Sequence, residues 1–164
     1  MTPAAEAPAD LELTTLGGEA RPVDDWVTTF HLVLVVIDPF TDESAWILDT
    51  ANRLLTTFRG ADCRVGWLVT ADADDARAFL GPLAAELLTL VDPDRRVVKS
   101  LGLERLPALV HIRQDRSVVG VAEGWNPREW RVVTDNLSRV MSWSRPVLPV
   151  PGDPSPYSGS PAQG

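Results

Sequence analysis

The sequence predicts an α/β domain with a mixed central sheet flanked by helices, three layers deep. Three observations carry this. His31–Ile37 is a continuous β-branched and leucine run, the pattern of a strand buried on both faces, and Cys63–Thr70 reads as a second buried strand. The stretches after each run carry a single apolar stripe at helical spacing. Ala108–Ile112 and Val118–Ala122 flank a tight turn at Gln114-Asp115-Arg116, which makes them an antiparallel hairpin.

In order along the chain, residues 1–9 are rich in Ala, Pro and Glu and read as a disordered leader. Leu11, Leu13 and Leu16 make a short strand before the Gly17-Gly18 turn. Pro22 suits the first turn of a short helix with Val23, Trp26 and Val27 on one side. Asp38-Pro39 ends the first long strand, and Asp42 caps a helix whose inward stripe is Ala45, Leu48, Ala51/Asn52 and Leu55. After the second strand, Ala71–Leu80 is a helix capped by Asp72 or Asp74, with Asp75 also in its first turn, interrupted at Gly81-Pro82. Glu86–Val91 is a short strand, Asp92-Pro93-Asp94 a turn, and Val97–Leu101 a helix stopped by Gly102. Pro127 opens the last helix, with Trp130, Val133, Leu137 and Val140/Met141 as its stripe. The domain therefore spans residues 10–143. Residues 144–164 are a Pro/Gly/Ser-rich C-terminal tail, extended or disordered.

Composition excludes several classes. At 164 residues a single domain buries roughly 70% of its unfolded surface and needs no staples. A net charge of −8, with Lys99 the only lysine, argues against nucleic acid or an anionic membrane as partner. Cys63 is the only cysteine, so no disulfide forms within the chain. The N-terminus lacks the features of a signal peptide and no apolar run is long enough to span a bilayer, so a cytoplasmic location is expected. Two histidines and one cysteine give no zinc spacing, and no metal or cofactor is expected. Neither a phosphate-cradling Gly-rich loop nor a Gly-x-Ser-x-Gly elbow is present.

The strand Leu32–Ile37 with its loop-to-helix transition, Val91-Asp92-Pro93-Asp94 before a short helix, Leu101-Gly102-Leu103 leading to Leu106-Pro107-Ala108-Leu109, and Gly120 with Gly124 together resemble the thioredoxin superfamily. The likeness spans about residues 30–142 and is nearest to the bacterial TlpA-like and peroxiredoxin-like branch. It implies a cis peptide before Pro107. It also implies a Cys-x-x-Cys at the helix following the central strand, where the helix terminus lowers a thiol's pKa. Here that stretch reads Asp38-Pro39-Phe40-Thr41-Asp42-Glu43-Ser44. Thr41 and Ser44 hold the cysteine positions, and Val35 or Val36 holds that of the family's buried acid. Thr41-x-x-Ser44 also resembles a peroxiredoxin Thr-x-x-Cys with serine as the last residue. Hydroxyls support neither dithiol exchange nor sulfenic acid formation.

The resemblance further implies that Phe40, Thr41, Ser44, Leu106, Pro107, Gly124 and Trp125 converge on a groove for an extended peptide. The expected function is a redox-inactive protein-binding or adaptor module, its protein partner and oligomeric state unknown. One alternative is a thiol oxidoreductase or antioxidant protein using Cys63; another is a structural subunit of a larger assembly. Cys63 and Trp67 read as core residues, His31 and His111 as packed or surface residues, and Asp38, Asp42 and Glu43 as caps or solvated loop charge. The tail's prolines could form a polyproline II ligand with Tyr157 as anchor.

Overall fold

The computed structural model describes residues 3–164. The elements are β1 (Glu12–Thr15), β2 (Ala20–Pro22), α1 (Val23–Trp26), β3 (His31–Ile37), α2 (Asp42–Trp46), α3 (Leu48–Phe58), β4 (Cys63–Val69), α4 (Ala73–Leu80), α5 (Leu83–Glu86) and β5 (Leu88–Val91). Then come α6 (Arg96–Ser100), β6 (Arg105–Leu106), β7 (Ala108–Ile112), β8 (Val118–Glu123), α7 (Pro127–Met141) and β9 (Ser160–Pro161). Seven strands form one mixed sheet in the order β2-β1-β5-β4-β3-β7-β8. β3–β4 and β4–β5 are parallel; the pairs to either side of them are antiparallel.

Every residue of β3 is buried, and its alternation divides the core. Val33, Val35 and Ile37 face α3, α4 and α7, with Trp67, Trp125 and Trp130 in the same cluster. Leu32, Leu34 and Val36 face α1 and α6 on the other side. An apolar strand feeding two cores is what a three-layer α/β fold requires.

Three local expectations are corrected. The helix after β3 breaks at Ile47 into α2 and α3, and its capping position is Thr41, not Asp42. Its buried side is Ser44, Ile47, Ala51, Leu54, Leu55 and Phe58, while Ala45 is exposed and Leu48 half-buried. The face that packs inward carries the larger apolar side chains Ile47, Leu54 and Phe58, and Ser44 on the same side accepts the Asp38 N–H at 2.9 Å. The N-terminal segment packs where a free leader is expected: Ala4 N–H donates to the Leu101 carbonyl, Ala7 N–H to that of Arg116, and Ala7 is fully buried. Positions 1 and 2 of the expected leader lie outside the described residues.

Residues 143–164 do not trail away. α7 ends at Ser142 in a left-handed conformation, and the chain then crosses α3 and runs along the C-terminal end of the sheet to pair with β6. The Leu106–Pro107 and Leu148–Pro149 peptide bonds are cis.

Candidate functional site

The site grows from the end of β3. Asp38 follows the strand directly and is buried. Its Oδ1 accepts the Phe40 N–H at 3.0 Å and its carbonyl accepts the Thr41 hydroxyl at 2.9 Å. Its Oδ2 forms an ion pair with Arg95 at 2.8 Å. This turn places Thr41 at the start of α2 and Ser44 beneath it. The hydroxyls of Thr41 and Ser44 are thus both engaged with Asp38 backbone atoms. Phe40 is 70% exposed and stands outside the surface formed by the other predicted groove residues, because its N–H is tied inward and its side chain is thrown out.

Leu106, Pro107, Gly124 and Trp125 do come together, all buried. The Gly124 N–H donates to the Pro107 carbonyl at 2.8 Å, joining the start of β7 to the end of β8. Trp125 stacks edge-on against Trp130 with ring centres 5.2 Å apart, and its Nε1 donates to the Pro154 carbonyl at 2.8 Å.

What fills the surface is the chain itself. Trp125 and Tyr157 exchange both backbone hydrogen bonds, at 2.8 and 3.0 Å. Further on, Leu106 pairs with Ser160 and Arg105 with Pro161, antiparallel. The Ala162 N–H donates to the Glu104 carbonyl at 2.8 Å, and Arg95 donates to the Ala162 carbonyl at 2.6 Å. Arg105 donates to the Ser158 and Gly159 carbonyls, while its own N–H donates to Glu123 Oε1 at 2.8 Å. Tyr157 lies edge-on to Trp46 at 5.4 Å, with its hydroxyl donating to the Glu43 carbonyl. Burial pushes the Tyr157 hydroxyl well above the usual phenol range, the Glu43 charge adding to it. Gly159 and Gly124 face one another: a Cβ on Gly159 would lie 2.4 Å from the Leu106 carbonyl oxygen, and one on Gly124 2.6 Å from that of Ser158.

A clasp holds the strap upstream. Asp153 receives Arg53 through both oxygens at 2.9 and 2.8 Å, the Thr50 hydroxyl at 2.8 Å and the Val150 N–H at 2.8 Å. The Arg53 hydrogen bonds bring its carboxyl down to about 2. Leu148 is buried beside it.

Cys63 sits at the other end of the sheet. It pairs with His31 where Val69 pairs with Ile37, six residue steps or about 20 Å from the groove. It is buried against Phe58, whose carbonyl its thiol approaches at 3.6 Å. Burial, with the Asp62 charge second, pushes its thiol up to about 11. His31 Nδ1 and His111 Nε2 share a hydrogen at 2.8 Å. Burial, then the positive charge of His31 and Arg113, lowers His111 to about 4. The pair borders an open cleft of about 1300 Å³ between β8 and α7, separate from the groove. Among the described residues, no group of three or more His, Cys, Asp or Glu could hold a metal ion. Nor is any helix long and apolar enough to cross a membrane.

Arg95, Arg105, Arg53 and Asp153 are site residues the sequence does not single out. The one available sign is Tyr157 with Gly159 in an otherwise featureless tail.

No family model matches the chain, and no curated protein matches it by sequence. Solved structures do. A putative thiol:disulfide interchange protein DsbE from Chlorobium tepidum is 18% identical with a TM-score of 0.69, covering 86% of this chain and 99% of its own. Bacterioferritin comigratory protein of Xanthomonas campestris, described by its alkyl peroxide reduction activity, is 14% identical with a TM-score of 0.66, covering 84% and 99%. A hypothetical protein from Sinorhizobium meliloti, 16% identical with a TM-score of 0.65, covers 99% of this chain and 94% of its own. The fold is therefore thioredoxin-like.

Proposed function

We propose that this thioredoxin-like chain is a redox-inactive binding module that grips an extended protein segment in the groove beside Pro107. The observation that carries the reading is the pairing of Trp125 and Leu106 with an extended strand, residues 157–162 of the same chain. Such strand addition draws affinity from main-chain hydrogen bonds and selectivity from alternate side chains. Arg95 and Arg105 add charged donors aimed at the guest's carbonyls, stronger than neutral ones. Recognition is kept where sulfur chemistry is not: Thr41 and Ser44 are bonded to Asp38, and Cys63 is buried at the far end of the sheet. A protein partner would take the place that residues 157–162 hold in the resting chain.

The test uses the full chain with Gly159→Val, whose side chain meets the Leu106 carbonyl and lifts the strap. A fluorescein-labelled peptide with the sequence of residues 154–164 should bind it saturably and shift the amide resonances of Leu106 and Trp125. No saturation up to about 1 mM, the concentration a short tether supplies, overturns the groove reading. In an insulin-reduction assay, wild type and Cys63→Ser should both match the blank. Turnover that wild type shows and Cys63→Ser lacks removes the redox-inactive half.

A further inference from the structure

We infer that the groove selects its partner by the pattern its own strap carries from Tyr157 to Ala162: an aromatic, any residue, glycine, a small residue, any residue, a small residue. The strap is a competitor for that partner. This rests on the groove-binding reading above and specifies its ligand.

Each position of the pattern has its own cause. Tyr157 brings its ring edge-on to Trp46 and its hydroxyl to the Glu43 carbonyl, so an aromatic with a polar tip fits there. Ser158 is exposed and is held through its carbonyl, by Arg105, which leaves its side chain open to any residue. Position 159 admits only glycine, on two counts. Its φ is +85°, and a Cβ would stand 2.4 Å from the Leu106 carbonyl oxygen and 3.2 Å from Gly124 Cα. The first is a left-handed conformation that side chains disfavour; the second is a collision with backbone that cannot move aside. Ser160 is buried, its hydroxyl directed at the same carbonyl at 3.4 Å. Pro161 faces solvent, the outward step of the strand's period of two. Ala162 has no exposed surface. Its backbone is held at both ends, N–H by Glu104 and carbonyl by Arg95, which leaves room for a methyl group and little more. The pattern carries no charge, so an extended neutral segment with this spacing is the chemistry the groove accepts.

The same geometry makes the strap a competitor. Asp153, clasped by Arg53 and Thr50, is followed four positions later by Tyr157, so the tethered strand faces the groove at about millimolar effective concentration. A partner at lower concentration succeeds only by binding more tightly than the strap, or after the strap has been lifted.

The experiment measures anisotropy of labelled peptides against three full-length proteins: wild type, Gly159→Val and Ala162→Arg. The last two expel the strap by independent clashes, so one that fails to fold by circular dichroism leaves the other. The peptides carry the sequence of residues 154–164 unchanged, with Gly159→Ala, with Ala162→Leu, or scrambled. The unchanged peptide should bind the strap-released variants at least tenfold more tightly than wild type. Both substituted peptides should lose at least tenfold on those variants. Equal binding by the scrambled peptide overturns the pattern and leaves the groove reading intact. Equal binding to wild type and released variants shows that the strap does not compete. No binding of the unchanged peptide to a folded released variant overturns the groove reading itself, and the pattern with it.

Discussion

At the N-terminal ends of β3 and β4 sit the side chains that chemistry would choose first, Cys63 and the His31–His111 pair. At the C-terminal ends of the same strands the site described above has no sulfur and no imidazole; it is built from Asp38, the Thr41 and Ser44 hydroxyls, Glu123, backbone groups and arginines. Yet the first set is buried, and its thiol and His111 are shifted to favour the neutral form; the second presents oriented donors and acceptors that hold a peptide strand. Reactive residue type is thus a poor guide to the end we propose as the binding one. What distinguishes the ends is whether polar groups are spent inside the fold or aimed outward across it.

The largest test of that contrast is Asp38→Ala. Asp38 is buried and its carboxylate is the ion-pair partner of Arg95, whose side chain is only 19% exposed. Removing one member of a buried pair leaves the other charge uncompensated, at about 3 kcal/mol. Arg95 would also hold the Ala162 carbonyl less firmly. Urea midpoints should therefore fall, and amide exchange at Ala162 should quicken. A loss under about 1 kcal/mol, the range of exposed pairs, would mean that the groove end is not organised by this pair.

How much of this was legible follows the range of the interactions. β3, β4, the β7–β8 hairpin and α7 declare themselves through local apolar pattern, though the α7 stripe stops at Leu137, with Val140 exposed and Met141 half-buried. The phase of α2 and α3 does not, because the helix breaks at Ile47 and a single unbroken period through Ala45 and Leu48 misses the face of Ile47, Leu54 and Phe58 that packs inward. That Leu106, Pro107, Gly124 and Trp125 lie together is legible through resemblance alone, since nothing local in the sequence links them. For the strap, the sequence offers only an extended tail with Tyr157 as a possible anchor: that it docks on its own chain is not foreseen, because the bond between Arg53 and Asp153 joins residues 100 positions apart and Pro/Gly/Ser composition carries no period.

Acid should separate the two ends by pH window. His111 has a folded value of about 4 against an ordinary 6.5, so the unfolded chain binds the proton more readily between these values. Stability is full above pH 6.5 and falls as pH drops toward 4, by about 3 kcal/mol. Asp153 is also depressed, to about 2 from 3.8, so its contribution is present above pH 4 and is lost as pH drops toward 2. Arg53 is partly exposed, which screens the effect to about 1 kcal/mol. Thermal midpoints of His111→Phe should flatten in the upper window only, and those of Asp153→Asn in the lower only. Tryptophan fluorescence, with Trp125 and Trp46 against the strap, should report the lower window. A single shared transition in both variants would erase the distinction.

The smallest effect on stability, and the sharpest on reactivity, concerns the thiol. Cys63→Ala trims one buried atom and should cost about 1 kcal/mol. With its thiol pushed up to about 11, native Cys63 at pH 8 is roughly one part in a thousand thiolate, against about a quarter for a free cysteine. Labelling by a disulfide reagent should therefore run at least 100-fold slower than in urea, since burial adds to the thiolate deficit. The matched control moves the sulfur to the other end: Thr41→Cys in a Cys63→Ser background. Thr41 is partly exposed at the start of α2, where free N–H groups stabilise a thiolate, and that variant should label at least tenfold faster than native Cys63. Equal rates would place both ends in one chemical environment and dissolve the contrast. A fast Thr41→Cys beside a silent Cys63 would show that the groove end leaves a thiol accessible where the other end of the sheet buries it.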